Sequence, residues 1–371
     1  MRIITAELHL VRLQLVHEFR TSSHSKTHLD HILVHVVDES GAEGWGEIAS
    51  PADPYFNAET TRSCWDVAHD YLLPAVLGVT WDHPSEVAAL TSRVRGNLFA
   101  HAGVDIAVWD VWARTRGLSL ARALGGERER VVAGVSLGIE PTIDDLLAQV
   151  ESQLEAGYRR VKLKIAPGWD VEPVRAVRSA HPDLDLHVDA NAVYTEDAAH
   201  VAALRSLDAF GLTMIEQPFA PRDLLAHARL QAGIDTPVCL DESIEYVSDL
   251  ELALAVGAIR VLNIKVSRMG GLTAAVAAHD LARDAGIPVW CGGMHEFGVG
   301  RAANLAISSL AGFVLPSDVS GSDKYYAQDI VSPPIRSVDG TVAVPSGAGL
   351  GLDVDVDRIR THRLKHARLE L

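Results

Sequence analysis

The sequence predicts an α/β protein in which a barrel of alternating strands and helices follows a smaller α+β unit. Three observations carry this. Apolar residues recur with period two through the first 47 positions, then with helical spacing up to the Gly125-Gly126 pair. Beyond residue 130, short β-forming runs recur at 131–139, 161–165, 186–191, 214–218, 238–243, 261–266, 289–294 and 313–318. One polar residue in each of five central runs (Lys162, Asp189, Glu216, Asp241, Lys265) stands 27, 27, 25 and 24 residues from the next, the length of one strand-helix unit.

The first unit begins with Leu8, Leu10, Leu13 and Leu15, continues through 29–37, turns at Asp38-Glu39-Ser40-Gly41 and returns through Gly44-Trp45-Gly46-Glu47. This pattern is a small antiparallel sheet. Between its strands, residues 19–26 are polar and rich in small side chains, the composition of a mobile loop. Helical spacing follows over 58–77, 85–95 and 101–124. Later helical stretches at 143–156, 196–207, 224–232, 247–255 and 273–285 fill gaps between the strand runs. Eight such strands in parallel make a (β/α)8-type barrel, whose active sites lie at the C-terminal strand ends. The expected divisions are an α+β cap over 1–128, a barrel over 129–320, and a segment over 321–371 that packs back on the cap.

Composition excludes several function classes. Forty-nine acidic against 33 basic residues give a formal charge of -16, which repels nucleic acid and anionic lipid. Three scattered cysteines (Cys64, Cys239, Cys291) suit a reduced, cytoplasmic compartment better than a disulfide framework. No stretch reaches 18 apolar residues, so no membrane span is expected. The expected partner is a small carboxylate substrate, bound by a homo-oligomer.

Lys162 and Lys164 lie two apart in a strand and so share a side. Alone, the pair would sooner fit an exposed edge strand. With Val161, Leu163 and Ile165 facing the helices, both lysines instead point into the barrel, where burial and mutual repulsion should lower the pKa of one toward that of a base. Asp189, Glu216 and Asp241 occupy one phase of three neighbouring strands, each inside an apolar run. Three buried carboxylates repel one another, and an all-oxygen set without His or Cys favours Mg2+, with Mn2+ as a substitute, over Zn2+. Lys265 takes the equivalent point on the sixth strand, across the mouth from Lys164. Such a site suits a substrate carboxylate on the metal, its α-proton made acidic through a stabilised enediolate, with one lysine for each face. Asn191 and Asn263 share the inward phase and are candidates for support, or for strand-end turns. Glu242 points the other way by period and is expected to give hydrogen-bonding support. Cys239 and Cys291 read as small core residues.

The motifs Lys162-Leu163-Lys164, Asp189-Ala190-Asn191, Ile215-Glu216-Gln217-Pro218, Leu240-Asp241-Glu242-Ser243 and Asn263-Ile264-Lys265 resemble, in this order, the muconate lactonizing enzyme subgroup of the enolase superfamily. The likeness covers nearly the whole chain, including Gly44-Trp45-Gly46-Glu47 and Ala107-Val108-Trp109-Asp110. The runs VKLKIAPG, DANAVY, VWCGGM and GRAAN look most like the branch of o-succinylbenzoate synthases and N-succinylamino acid racemases, and Arg268 matches a position typical of its racemases. This resemblance implies a modified (β/α)7β barrel, Mg2+ on Asp189, Glu216 and Asp241, and Lys164 and Lys265 as the acid/base pair. It also implies that the loop at 19–26, with Phe19 and Ser22, closes over the mouth. Gly293, Met294, His295, Glu296 and Phe297 end the seventh strand and join Lys162, Asn191 and Arg268 as supporting or substrate-binding candidates. His295 and Phe297 depart from the branch, which carries an aliphatic and a small hydroxyl residue there; inward rings would change the pocket.

Racemisation of an N-acyl amino acid, above all an N-succinyl one, is the leading expectation. The alternative is dehydration to o-succinylbenzoate in menaquinone synthesis, which needs one lysine as base and the other as cationic stabiliser; one protein can do both. Dipeptide epimerisation and a non-catalytic metal-binding barrel rank below these, and the last leaves both lysines unexplained.

Overall fold

The computed structural model describes the backbone of residues 1–20 and 25–371 and the side chains outside 18–25. Ser22 and the side chain of Phe19, with the closing loop expected there, lie outside the described residues. The cap is built on β1 (Ile3–Arg20), β2 (Ser25–Asp38) and β3 (Glu43–Ile48), joined antiparallel in that order. Alternation in β1 sends Ala6 and Leu8 into an apolar core with Ile32, Val34 and Val36, and turns Glu7 and His9 to the opposite face. Against β3 packs the helix α1 (Leu98–Thr115). The Gly-Trp-Gly motif explains that approach: a Cβ at Gly44 would lie 2.4 Å from the Ala107 carbonyl oxygen, and one at Gly46 only 1.9 Å from that of Gly103. Only glycine admits the helix backbone so near. The expected helix over 101–124 is two pieces, because Gly117, at φ 64°, ends the first before Leu120–Ala123 begins.

Among the described residues the barrel sheet is parallel and has seven strands: β4 (Val135–Leu137), β5 (Arg160–Lys164), β6 (Asp185–Asp189), β7 (Ile215–Glu216), β8 (Val238–Leu240), β9 (Val261–Ile264) and β10 (Val289–Cys291). The eighth run differs from expectation. It contributes single parallel bridges, Phe313 to Val289 and Ser317 to Ala133, so it closes the ring between β10 and β4 without a regular ladder. The architecture is therefore the modified (β/α)7β barrel. Side chains at Thr142, Asp197 and Asp223 cap the helices Ile143–Glu155, Ala198–Ser206 and Leu224–Gln231, which keeps the connections short. Inside the barrel, Met214, Cys239, Val261 and Trp290 form a small apolar plug beneath the polar strand ends.

The chain returns to the cap at its end, where β11 (Arg363–Glu370) pairs antiparallel with β1. Asp110, fully buried in α1, accepts from the backbone N–H groups of Trp45 (2.8 Å) and Leu350 (2.7 Å), tying helix, sheet and C-terminal segment together. No described helix is long and apolar enough to cross a membrane.

Candidate active site

Strand register sets the level of each polar side chain. Lys164 pairs with Asp189, Asp189 with Glu216, and Glu216 with Cys239. Asp241 therefore stands two residues beyond the level of Glu216, and Lys265 lies beyond the end of β9. The polar ring climbs toward the mouth as the barrel closes.

Lys164 Nζ donates to Asp189 Oδ2 and to Asn191 Oδ1, both at 2.6 Å. Lys265 Nζ donates to Asp241 Oδ2 at 2.7 Å and lies 4.9 Å from the centre of the Phe56 ring, which comes from the cap. The two lysines thus bracket the acids. Lys162, deeper and 5% exposed, lies 3.2 Å from Glu216 Oε2, 3.6 Å from Asp189 Oδ2 and 2.8 Å from Asp318 Oδ2. Burial opposes its charge, but Asp318, Glu216 and Asp189 outweigh that and hold it well above the usual lysine value. The lowered pKa expected of a buried lysine pair is thus reversed at Lys162, because carboxylates surround it. Lys265 is also raised: burial opposes its charge, and Asp241 and Glu242 prevail.

The acids divide by their neighbours. Burial would raise Asp189 and Asp241, but Lys164 and Lys162 lower the first, and Lys265 and Arg268 the second. Glu216 is pushed up to about 8 by burial and by Asp189 beside it. Asn263 donates its amide to Glu216 Oε1 (2.8 Å) and accepts from the Gly292 N–H (2.9 Å). Gly292 has to be small, since a Cβ there would lie 2.4 Å from Asn263 Oδ1 and 2.8 Å from Lys265 Cε.

Several candidates take places the period alone did not foresee. Glu242 gives the hydrogen-bonding support expected of it, but from inside the site and not from the side that period two assigns. The strand stops at Leu240, so period two no longer applies, and Asn191 Nδ2 donates to Glu242 Oε1 at 3.2 Å. Burial and then Asp241 push Glu242 up to about 7. Arg268 is buried behind Asp241, donating also to the Ile244 and Asn263 carbonyls, so it braces a carboxylate from outside the mouth. Phe297 is fully buried, its ring against His31 (4.6 Å) and Tyr326 (5.2 Å), which corrects the expectation of an inward ring. The physical reason is the helix α2 (Gly298–Ser308) starting at the next residue, which turns Phe297 into the seam with the cap. His295 adopts a left-handed φ of 62°, and its ring stacks on Tyr325 at 4.8 Å. Gly293 and Met294 are half-buried beside it; Met294 packs toward the cap core and its N–H donates to Glu296 Oε1 at 2.9 Å.

Two further groups, absent from the candidate residues expected above, shape the site. Asp318 ends the eighth run and joins Lys162, Ser136 Oγ (3.0 Å) and Arg160 NH1 (2.8 Å). Its place at the end of a barrel run was the available signal. Glu47, the last residue of the Gly-Trp-Gly-Glu motif, is fully buried and accepts from Phe297 N (2.8 Å) and Gly300 N (2.7 Å), with His31 Nδ1 at 2.7 Å. A cap residue therefore caps the barrel helix that follows the mouth segment.

Comparison with known proteins agrees with this architecture. Residues 4–125 match the model of the mandelate racemase/muconate lactonizing enzyme N-terminal domain, and residues 145–358 match that of the enolase C-terminal domain-like family. The chain belongs to the enolase superfamily. Among superfamily relatives, it is 45% identical to an o-succinylbenzoate synthase of Geobacillus kaustophilus, over 93% of this chain and 92% of that protein. It is 43% identical to an N-succinylamino acid racemase of Thermus thermophilus, over 95% of each. A solved enolase superfamily member from Listeria innocua superposes with a TM-score of 0.97 at 36% identity, covering 100% of this chain and 99% of the other.

Proposed function

We propose that this enzyme removes the proton α to a carboxylate and returns it to either face, racemising N-succinyl or related N-acyl amino acids. The observation that carries this reading is the pair Lys164 and Lys265, held on Asp189 and Asp241 on either side of three buried acids. The donor set fits a divalent cation of the Mg2+ class: Asp189, Glu216 and Asp241 offer only carboxylate oxygen from three adjacent strands, and a cation there would relieve the repulsion by Asp189 that, with burial, raises Glu216 despite the lysines around it. Mg2+ held there would supply charge stabilisation to the substrate carboxylate as its α-proton leaves. Lys164 and Lys265 are the proton carriers, one abstracting while the other donates. Lys162, kept charged by its three carboxylates, adds fixed positive potential beneath the site. Asn191 and Asn263 orient Lys164 and Glu216, and Arg268 fixes Asp241.

Dehydration to o-succinylbenzoate is the second reading, supported by the 45% relative of that name. It uses the same proton abstraction and needs only one lysine as base. Assay of the purified enzyme with Mg2+ against both enantiomers of N-succinyl and N-acetyl amino acids, free amino acids, dipeptides and the dehydratase substrate separates the two. Racemisation of N-succinyl substrates supports the first reading; turnover of the dehydratase substrate alone replaces it with the second.

A further inference from the structure

We propose that Glu7, His9 and His366 form a second metal site, for a divalent transition cation of the Zn2+ class, clipping the last strand of the chain to the first. His9 and His366 face each other directly across the β1–β11 ladder, and Glu7 lies two residues before His9 on the same side. One donor atom from each residue falls within 4.8 Å of the other two. Glu7 Oε2 is 2.8 Å from His366 Nε2 and 3.5 Å from His9 Nε2. These spacings bracket the roughly 3.3 Å that separates ligands around a tetrahedral ion with bonds near 2.0–2.1 Å. The two imidazoles are stacked, with centroids 4.8 Å apart and planes 18° from parallel.

An independent observation points the same way. His9 is 4% exposed, and among the described residues its Nε2 makes no hydrogen bond, Glu7 Oε2 standing off at 3.5 Å. A buried, unpartnered ring nitrogen is costly, and a cation in front of it removes the cost. Two imidazoles and one carboxylate are a borderline donor set, suited to Zn2+, Co2+, Ni2+ or Cu2+ and distinct from the all-oxygen acids in the barrel. Arg368 NH1 lies 3.4 Å from Glu7 Oε1, while Oε2 is hydrogen-bonded to His366 Nε2, a bond that the ion would replace. Side-chain exposure of 34% at His366 and 17% at Glu7 gives the ion a way in. Arg363 NH1, 3.4 Å from His9 Nδ1, can only donate and so competes with a cation for this ring. Since Glu7 and His366 are 359 residues apart, the ion would join the two ends of the chain.

The test uses the holoenzyme in millimolar Mg2+, so that the barrel acids are filled, with Zn2+ competed against a chromophoric chelator. Wild type should bind a single equivalent and gain thermal stability as Zn2+ saturates. His366→Asn and Glu7→Gln should weaken binding at least about tenfold while Mg2+-dependent turnover is unchanged. Arg363→Met should tighten it. Co2+ should give the d–d absorption of a low-coordinate site in wild type and not in His366→Asn. The proposal is overturned if Zn2+ uptake disappears in Asp241→Asn and persists in His366→Asn and Glu7→Gln, or if wild type takes up none.

Discussion

Replacing Glu47 by Gln tests how the cap is fastened to the barrel mouth. The carboxylate receives two backbone N–H groups and the His31 ring within 2.8 Å, in a fully buried position. Glutamine keeps the shape but turns one oxygen into an NH2, so either the Phe297 or the Gly300 N–H meets a donor. Leaving one buried N–H unsatisfied costs about 1–3 kcal/mol, and losing the charge that strengthens the remaining bonds adds about 1–2 kcal/mol. The expected loss is therefore about 2–5 kcal/mol. With roughly 2.1 cal/mol/K of unfolding entropy per residue over 371 residues, Tm should fall by about 3–6 °C. Calorimetry of wild type and variant under Mg2+ measures it. Because Phe297 anchors the segment that carries Met294, His295 and Glu296, KM should rise more than kcat falls. A Tm within 1 °C of wild type, with unchanged KM, would refute the claim that Glu47 holds the mouth segment.

Three further outcomes follow from the structure. Chelation should abolish turnover and lower Tm, and Mg2+ at about 100 times its Kd should restore about 2.7 kcal/mol; full activity without metal would sink the carboxylate assignment. Phe297→Thr should cost about 3 kcal/mol by leaving a cavity between His31 and Tyr326, with the order of preferred acyl amino acids unchanged; a reordered panel would place the ring in the pocket after all. His227 is fully buried, and desolvation pushes its pKa down to about 4, so the fold keeps it neutral. Its contribution is whole above about pH 6.5 and is lost as pH falls toward 4, by up to about 3 kcal/mol. His227→Gln should flatten that part of the stability profile, and an unchanged acid slope in urea titrations would show that other groups set it.

The repeat phase of Lys162, Asp189, Glu216, Asp241 and Lys265 was legible because strand alternation is local and the units are nearly equal in length. The register of β5 to β8 follows from the same periodicity, since slipping by one residue would turn every inward acid onto the helices. What the sequence hid is non-local, or lies where a strand ends. Glu242 joins the site because β8 stops at Leu240. Phe297 leaves the mouth because a helix begins beside it. The charge state of Lys162 depends on Asp318, whose arrival from the eighth run is a matter of barrel closure. Glu47 meets Phe297 across 250 residues, and no pattern within either segment announces that pairing.

If Lys164 and Lys265 each serve one face of the α-carbon, hydrogen exchange in deuterated water reveals it. Each enantiomer of a substrate that turns over is incubated with wild type, Lys164→Ala and Lys265→Ala, and α-deuterium incorporation is followed by proton NMR beside optical rotation. Wild type should exchange both enantiomers, neither variant should racemise, and residual exchange in each variant should be confined to the enantiomer whose abstracting lysine remains. Racemisation at near wild-type rate by either variant, or the same enantiomer exchanging in both, would contradict it.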